Sequence, residues 1–594
     1  MIKRILGLLA FGLTAFSAFA QTRMAYEISF PRPHTHYAEV SLQLTGLNSN
    51  ETELHLPVWT PGSYLIREFP RNVDSFRARN SRGPLASEKT SKSSWRIQHQ
   101  AGDTVWVNYR VYAFEMSVRT SYIDPEHAYI NGTTLFMYEK NSLQQPIEVR
   151  FVPHADWKQI SSTLPQVNND PWLRLAENYD QLVDCPVEIG NHREFSFMAA
   201  GMKHRIAMFG IDKYDEKKLK KDYTRIIEQS QAIFGDRPIN EYLFIVHHLE
   251  QGGGGLEHSS STTLQTRKDV YESEKSYTGF LGLVAHEYFH LWNVKRLRPI
   301  ELGPFDYSRE NYTHNLWFSE GFTSYYDNLL VRRAGLMKEA EYLEVLRSGM
   351  ENIHANVGDA VQSLAESSWD AWIKFYLRNE NSSNITVSYY RKGAMLGLVW
   401  DLAILQASEG RYGLDSLMKQ LYYQYAVEAK RGYTDAELRQ ALVGFVGEAE
   451  ARTLWDAYVM GTEKIDFNRY LAYAGLHIED KRSGDEPYLG MGYQKSSNRL
   501  FVTSLRAGSA AENAGIQVND ILLQLDGEEI VAFDKWLEKK KPGESFNFIV
   551  YRQGKQIAGT GTIDAYPAAR YQWRKTTKRT LLEQQIYDKT IGKR

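Results

Sequence analysis

Two histidines and a glutamate stand at positions 286, 287 and 290 in the apolar stretch LVAHEYFHLW (283–292). Ionisable side chains are costly to bury without a partner. On a helix, positions four apart lie on one face a turn apart, so His286 and His290 can aim both imidazoles at one point. The pattern is H-E-x-x-H, in which two imidazoles bind zinc and the glutamate between them, Glu287, acts as general base on water. A pair of satisfied helix histidines would also fit five residues. The flanking runs GFLGLVA and LW favour the metal, because they bury the motif in a low-dielectric setting where ion and base are strongly felt.

Catalytic zinc sites of this type use three protein ligands and keep one position for water. The third ligand expected here is Glu320, in the apolar stretch NLWFSEGFTSYYDNLL (315–330). That stretch lies far enough beyond His290 for the chain to turn and return antiparallel. A glutamate in such a helical segment is expensive unless it is paired or ligates a cation.

The elements that must hold these residues follow from periodicity. From Tyr37 to about Phe195, segments such as YAEVSLQLTG, ELHLPVW and TVWVNYRVYAF alternate apolar and polar residues between Gly, Pro, Asn and Asp turns. They predict an antiparallel β-sandwich over 21–195. KKLKKDYTRIIEQSQAIFG then reads as an amphipathic helix with Leu219, Tyr223, Ile226 and Ile227 on one side, followed by a buried strand, EYLFIVHH. From 277 to about 475 the chain is mainly helical, with Thr434 and Glu437 spaced as a capping box. Short strands with Asp526-Gly527 and Gln553-Gly554 turns predict a small β domain over 479–566. The polar segment 567–594 is either a docking helix or a solvated tail, and the tail is the expectation. The fold class is multidomain α+β.

The 594 residues exceed one hydrophobic core, and 43% hydrophobic with 24% charged residues is an ordinary globular composition. Lys3 and Arg4 precede an apolar run ending in Ala18-Phe19-Ala20, the pattern of a cleaved signal peptide over 1–20. No further stretch is long enough to span a bilayer, so a periplasmic or secreted chain without an integral membrane segment is expected. Losing those two cations makes the formal charge of −2 more negative, which disfavours nucleic acid as a partner. The lone Cys185 can form no internal disulfide and reads as structural.

HEYFHLWNVKRLRP (286–299), LWFSEGFTSYY (316–326) and YYRKGAM (389–395), with VWTPGSYLIREF (58–69) and HAYINGTTLFMY (127–138), resemble the glycyl aminopeptidase family of gluzincin metallopeptidases. Members carry a C-terminal PDZ domain. The order of these blocks covers nearly the whole chain after residue 20. The resemblance implies a thermolysin-like catalytic domain over 196–478, with one Zn2+ per chain on His286, His290 and Glu320 and with Glu287 as base. In thermolysin an aspartate four residues after the glutamate ligand supports a zinc histidine. Ser324 stands there in this chain, and Asp327 is a candidate for that support.

In related aminopeptidases a tyrosine ahead of x-K-G donates to the oxyanion. SYYRKGAM places Tyr390 in that slot, with Tyr389 as the fallback and plain aromatic packing as the rival reading. QGGGGLEHSSS (251–261) resembles the Gly-x-Met-Glu-Asn element of zinc aminopeptidases, with Leu256 and His258 replacing the residues beside the glutamate. Glycines such as Gly254 and Gly255 let backbone approach a ligand, and Glu257 could accept the substrate's α-ammonium. The rival is a glycine loop with a solvated glutamate. PYLGMGYQ (487–494) and SLRAGSAAENAGIQVNDILLQLDGEEI (504–530) resemble a bacterial PDZ domain, whose turn at Gly490, Met491 and Gly492 would bind a terminal carboxylate.

The expectation is a zinc aminopeptidase acting on peptide substrates, with Gly and Ala favoured and a C-terminal peptide ligand possible at the PDZ domain. The alternatives are a zinc endopeptidase and a catalytically silent peptide-binding protein.

Overall fold

The structure, a computed structural model, describes residues 22–592 apart from 497, 498, 531, 532 and 577. The expected signal peptide, 1–20, lies outside the described residues. Among those described, an eight-stranded, a four-stranded and a three-stranded sheet build the N-terminal domain. Alternation along Tyr37–Thr45 and Val105–Tyr112 puts Ala38, Val40, Leu42, Leu44, Val105, Val107, Tyr109 and Val111 into one core. The sandwich is not wholly antiparallel, because Arg23–Ser29 pairs parallel with Ile147–Val152. Cys185 is buried there, and desolvation pushes its thiol up to about 12, as suits a structural residue.

The second unit opens with a five-stranded sheet in the order Arg193–Ala199, Met202–Phe209, Glu241–Leu249, Ser261–Arg267, Gly254–Glu257. Its centre is parallel and its edges are antiparallel. The strand Arg193–Ala199 runs across the boundary expected at residue 195, so this sheet begins earlier than the sequence suggested. The Glu216–Phe234 helix is capped by Asp215, ended by Gly235 in the left-handed region, and buries Leu219, Tyr223, Ile226 and Ile227. Helices follow, including Asp435–Val446 with its Thr434/Glu437 capping box.

The two units are locked by buried polar contacts. His127 and Glu188 of the sandwich meet His247 of the central strand, with Glu188 accepting from both rings at 2.7 and 2.9 Å. Tyr129 donates to Thr263 across the same seam at 2.9 Å.

The third unit has a separate core around Leu500, Val502, Leu522, Phe546, Phe548 and Val550. The C-terminal segment is not a solvated tail. Tyr571–Lys575 pairs with Leu476–Asp480, which itself crosses the boundary expected at 478. The Leu581–Thr590 helix, with a Thr580/Glu583 capping box, buries Ile586 and Tyr587 in the core of the helical unit. A few apolar residues in a polar segment sufficed, because the groove receiving them is far away in sequence.

Candidate active site

The Glu274–Phe289 helix starts at Ser273, whose hydroxyl accepts from the Ser276 amide, and ends with His290 at its C-cap. His286 and His290 therefore share a face, with ring centroids 4.7 Å apart. Glu320 lies on a π-helical turn, Trp317–Gly321, that leads into the Phe322–Arg333 helix packed against the first. Its Oε2 stands 3.5 Å from His286 Nε2 and 3.3 Å from His290 Nε2.

Those separations fit a metal. Ligand bonds of about 2.0–2.1 Å at tetrahedral angles put ligand atoms roughly 3.4 Å apart, longer than a good charged hydrogen bond. By contrast, the His127–Glu188–His247 group sits at direct hydrogen-bonding distances. Burial would raise the Glu320 carboxyl, but His290 and His286 pull it below its ordinary value, so it stays anionic as a ligand must. Each imidazole is aimed from behind. His286 Nδ1 faces Asp327 Oδ2 at 3.4 Å, and His290 Nδ1 meets the Asn293 carbonyl at 2.7 Å. Asn293 also donates to the carbonyls of Phe318 and Ser319, each at 3.1 Å, which ties the histidine end to the Glu320 turn.

Glu287 is 4% exposed, and its Oε2 has no protein partner. Burial raises its carboxyl above the usual range, the two histidines oppose this, and Glu257 and Glu320 add to it. Glu257, also 4% exposed, belongs to the same cluster, since Glu257, Glu287 and His290 offer ligand atoms within 4.8 Å of one another. The glycine run is thus no free loop. Gly254–Glu257 is the edge strand of the sheet, pairing Glu257 with Thr262. A Cβ on Gly255 would stand 2.4 Å from Glu287 Cδ, so only glycine lets that strand lie against the glutamate. Gly254 has φ +109 and nothing within 4 Å of a Cβ position, so it serves the backbone turn rather than a contact.

Tyr390 opens the Tyr389–Ala407 helix and stacks on His286 with centroids 6.2 Å apart. Burial first, and Glu320 next, raise its hydroxyl well above the ordinary value, so it remains a donor. Tyr389 is fully buried and meets Phe375 at a tilted angle with centroids 4.7 Å apart. A Cβ on Gly321 would meet Gly393 Cα at 2.5 Å, so the Glu320 turn and the Tyr390 helix cross at a glycine pair.

Two further contributors come from the N-terminal domain. Gly62, at φ +85 in the N-terminal domain, would put a Cβ 2.7 Å from both Glu257 oxygens. The TPGS turn around it (60–63) gives a turn signal but no hint of its target. Asp184, also N-terminal, holds Lys295 at 2.7 Å, His258 at 3.2 Å and the Ser259 amide at 2.8 Å, which anchors the segment just past Glu257. The turn at Gly490, Met491 and Gly492 belongs to the third unit and lines a cavity together with Phe375 and Arg391 of the helical unit. Gly490 has φ +76, and Met491 starts the edge strand Met491–Ser496.

A thermolysin-type pair of helices with two histidines and a returning glutamate, roofed by a β-rich domain, defines a metallopeptidase. Residues 25–191 match the Peptidase M61 N-terminal domain, 279–396 match the M61 glycyl aminopeptidase, and 487–558 match a PDZ domain. The crystal structure of an aminopeptidase N family protein from Idiomarina loihiensis is similar over 96% of this chain and 99% of that one, at 30% identity and a TM-score of 0.87. An M1 zinc metallopeptidase from Deinococcus radiodurans aligns with 75% of this chain and 95% of its own, at 13% identity and a TM-score of 0.46. No curated protein sequence matches. The chain belongs to the M61 glycyl aminopeptidase family of metallo-aminopeptidases.

Proposed function

We propose that this peptidase is an exported, zinc-dependent aminopeptidase that removes the N-terminal residue of peptides, with Gly and Ala favoured at that end. His286, His290 and Glu320 would hold one Zn2+ per chain. When bound, zinc supplies a Lewis acid that polarises the scissile carbonyl and makes water acidic. Glu287 takes a proton from the water that adds to the carbonyl carbon, and gives a proton to the leaving nitrogen as the C–N bond breaks. The Tyr390 hydroxyl donates to the oxyanion. Glu257 accepts from the substrate's α-ammonium.

The observation that carries the exopeptidase reading is the Glu257 carboxylate, buried within 4.8 Å of the Glu287 and His290 ligand atoms. Gly62 of the N-terminal domain walls it from behind. A second negative charge there is useful to a cationic chain end and useless to an internal peptide bond. The small-residue preference rests on the glycyl aminopeptidase match. Export rests on the pattern of residues 1–20, and no described helix is long and apolar enough to cross a membrane.

The test is hydrolysis of free and N-acetylated Gly and Ala peptides, with and without chelator. Release from the free peptides alone, lost on chelation, is expected. Equal cleavage of both forms would remove the amine clamp and make the protein an endopeptidase.

A further inference from the structure

Two arginines of the N-terminal domain, Arg67 and Arg119, stand beside the catalytic cleft without an acidic partner. Both guanidiniums lie against one ring, that of Tyr376 in the helical unit, with Cζ 5.9 and 6.0 Å from its centroid. Neither forms an ion pair among the described residues, and the Nε of each is buried without a hydrogen-bond partner. The acids of the same two segments are engaged elsewhere, Glu68 with Lys92 at 2.6 Å and Glu115 with Arg71 at 4.0 Å. Burial first, and the Arg119 charge next, lower the Arg67 guanidinium, so the pair is a cost to the fold as it stands. Stacking on a ring uses the guanidinium faces and leaves N–H edges for an anion.

The backbone holds both arginines in place. The Arg67 amide donates to the Val58 carbonyl at 2.8 Å, which ties the ends of the loop 58–67, and its Nη2 donates to Ser63 Oγ at 2.8 Å. Ser63 follows Gly62, the residue that walls Glu257. Val118, beside Arg119, is pinned through its carbonyl by Tyr129 at 3.3 Å and Asn131 at 3.4 Å. In the helical unit, Tyr376 follows Phe375, which stacks on Tyr390 with centroids 5.4 Å apart. Burial raises the Tyr376 hydroxyl, Arg119 opposes the rise and Glu320 adds to it, so this ring feels both the arginine charge and the carboxylate of the metal site.

Chain geometry limits how far this pair stands from the amine clamp. The Glu257 oxygens lie 2.7 Å from the Cβ position of Gly62, and Arg67 Nη2 lies 2.8 Å from the next side chain, Ser63. With adjacent Cα atoms about 3.8 Å apart, at most about 13 Å separates the Glu257 carboxylate from that nitrogen. An extended chain advances about 3.3–3.6 Å per residue, so a peptide of two or three residues with a hydrogen bond at each end fills the span, and a longer one overruns it. We propose that Arg67 and Arg119 bind the C-terminal carboxylate of the substrate itself, which makes di- and tripeptides the preferred substrates. The proposal rests on Glu257 as the amine clamp. With an ammonium at one end of the cleft and a carboxylate at the other, the first peptide bond is presented to Glu287 and Tyr390.

Binding is read by calorimetry on the zinc-loaded, full-length Glu287→Gln chain, so that no turnover is needed. The probes are Gly-Ala as free acid and as C-terminal amide. The acid is expected to bind about tenfold more tightly, as suits a charge-assisted bidentate contact. Adding Arg67→Gln/Arg119→Gln is expected to abolish that preference, and adding Arg67→Lys/Arg119→Lys to keep part of it, because the charge stays and the fork is lost. In the active enzyme the Gln pair should raise KM for Gly-Ala about tenfold and leave kcat little changed, the split expected when only a binding contact is removed. Equal binding of acid and amide before the arginines are changed, or a preference that survives the Gln pair, overturns the proposal. So does a Gly-Asp amide that binds as tightly as the Gly-Ala acid, since the arginines would then read an acidic side chain. Failure of the aminopeptidase reading shows separately, as no release of glycine from either probe by the parent enzyme.

Discussion

Glu287 has a free buried oxygen and a carboxyl raised by burial, the properties of a group that accepts and returns a proton. Glu287→Gln keeps the shape and removes that capacity, so kcat is expected to fall by about 10²–10⁴-fold while zinc content stays that of the parent. Peptide hydrolysis at the parental rate by a zinc-loaded variant would refute the assignment of the base. At this scale much was legible in the sequence. His286, Glu287, His290 and Glu320 are unpaired ionisable groups in apolar runs, and burial of such groups is informative. Asp327 was among the candidates, and it does face His286. Asn293 and Gly62 were not legible. One acts through a backbone carbonyl, and the other acts by having no side chain at all.

The helices that carry the site are held together by what is missing between them. Gly393 lies 2.8 Å from Gly321 Cα and 2.7 Å from the Trp317 carbonyl, measured from its Cβ position, so the Tyr390 helix touches the Glu320 turn backbone to backbone. Gly393→Ala is expected to cost about 1–3 kcal/mol of stability through overpacking. It is also expected to lower kcat by roughly 10²-fold, because a shift near 1 Å misplaces both Tyr390 and Glu320. Calorimetry with steady-state kinetics checks both, and an unchanged kcat would show that this crossing does not set the geometry. The helix periods and caps around it were readable from 3.6-residue spacing and from pairs such as Thr434/Glu437. The segment bearing Glu257 read as a substrate-binding element with a glycine loop as the rival and not as a strand, because glycines carry no alternation and the strand is defined by its partner Ser261–Arg267. The final helix read as tail for the matching reason, since its burial depends on a distant groove.

Across the whole molecule, the N-terminal domain is joined to the catalytic unit by buried acids. Burial would raise the Asp184 carboxyl, but Lys295 and His258 draw it below its ordinary value. Burial would likewise raise the Glu188 carboxyl, but His127 and His247 draw it below its ordinary value. A carboxyl with a depressed folded pKa contributes stability that is complete above its unfolded value, near about 4, and is lost as pH falls toward the folded one. Melting temperature should therefore stay level from neutral pH to about 5 and drop below about 4. Asp184→Asn leaves Lys295 buried without its anion and should cost about 3–5 kcal/mol at neutral pH, with a shallower acid fall. A variant with the parent's acid profile would show that the seam does not report through Asp184. Sequence alternation gave the sandwich and the separate third core, but not this seam, whose members come from separate strands and turns and carry no shared pattern.

The proposed chemistry depends on His286, His290 and Glu320 holding one metal ion, and direct metal analysis of the mature chain tests this. Elemental quantification should find one zinc per polypeptide in the parent protein, and Glu320→Gln should lose that zinc to chelator at concentrations at least about tenfold lower, in keeping with the loss of an anionic ligand. An active parent protein without bound transition metal, or a Glu320→Gln variant that holds zinc as tightly as the parent, would contradict it.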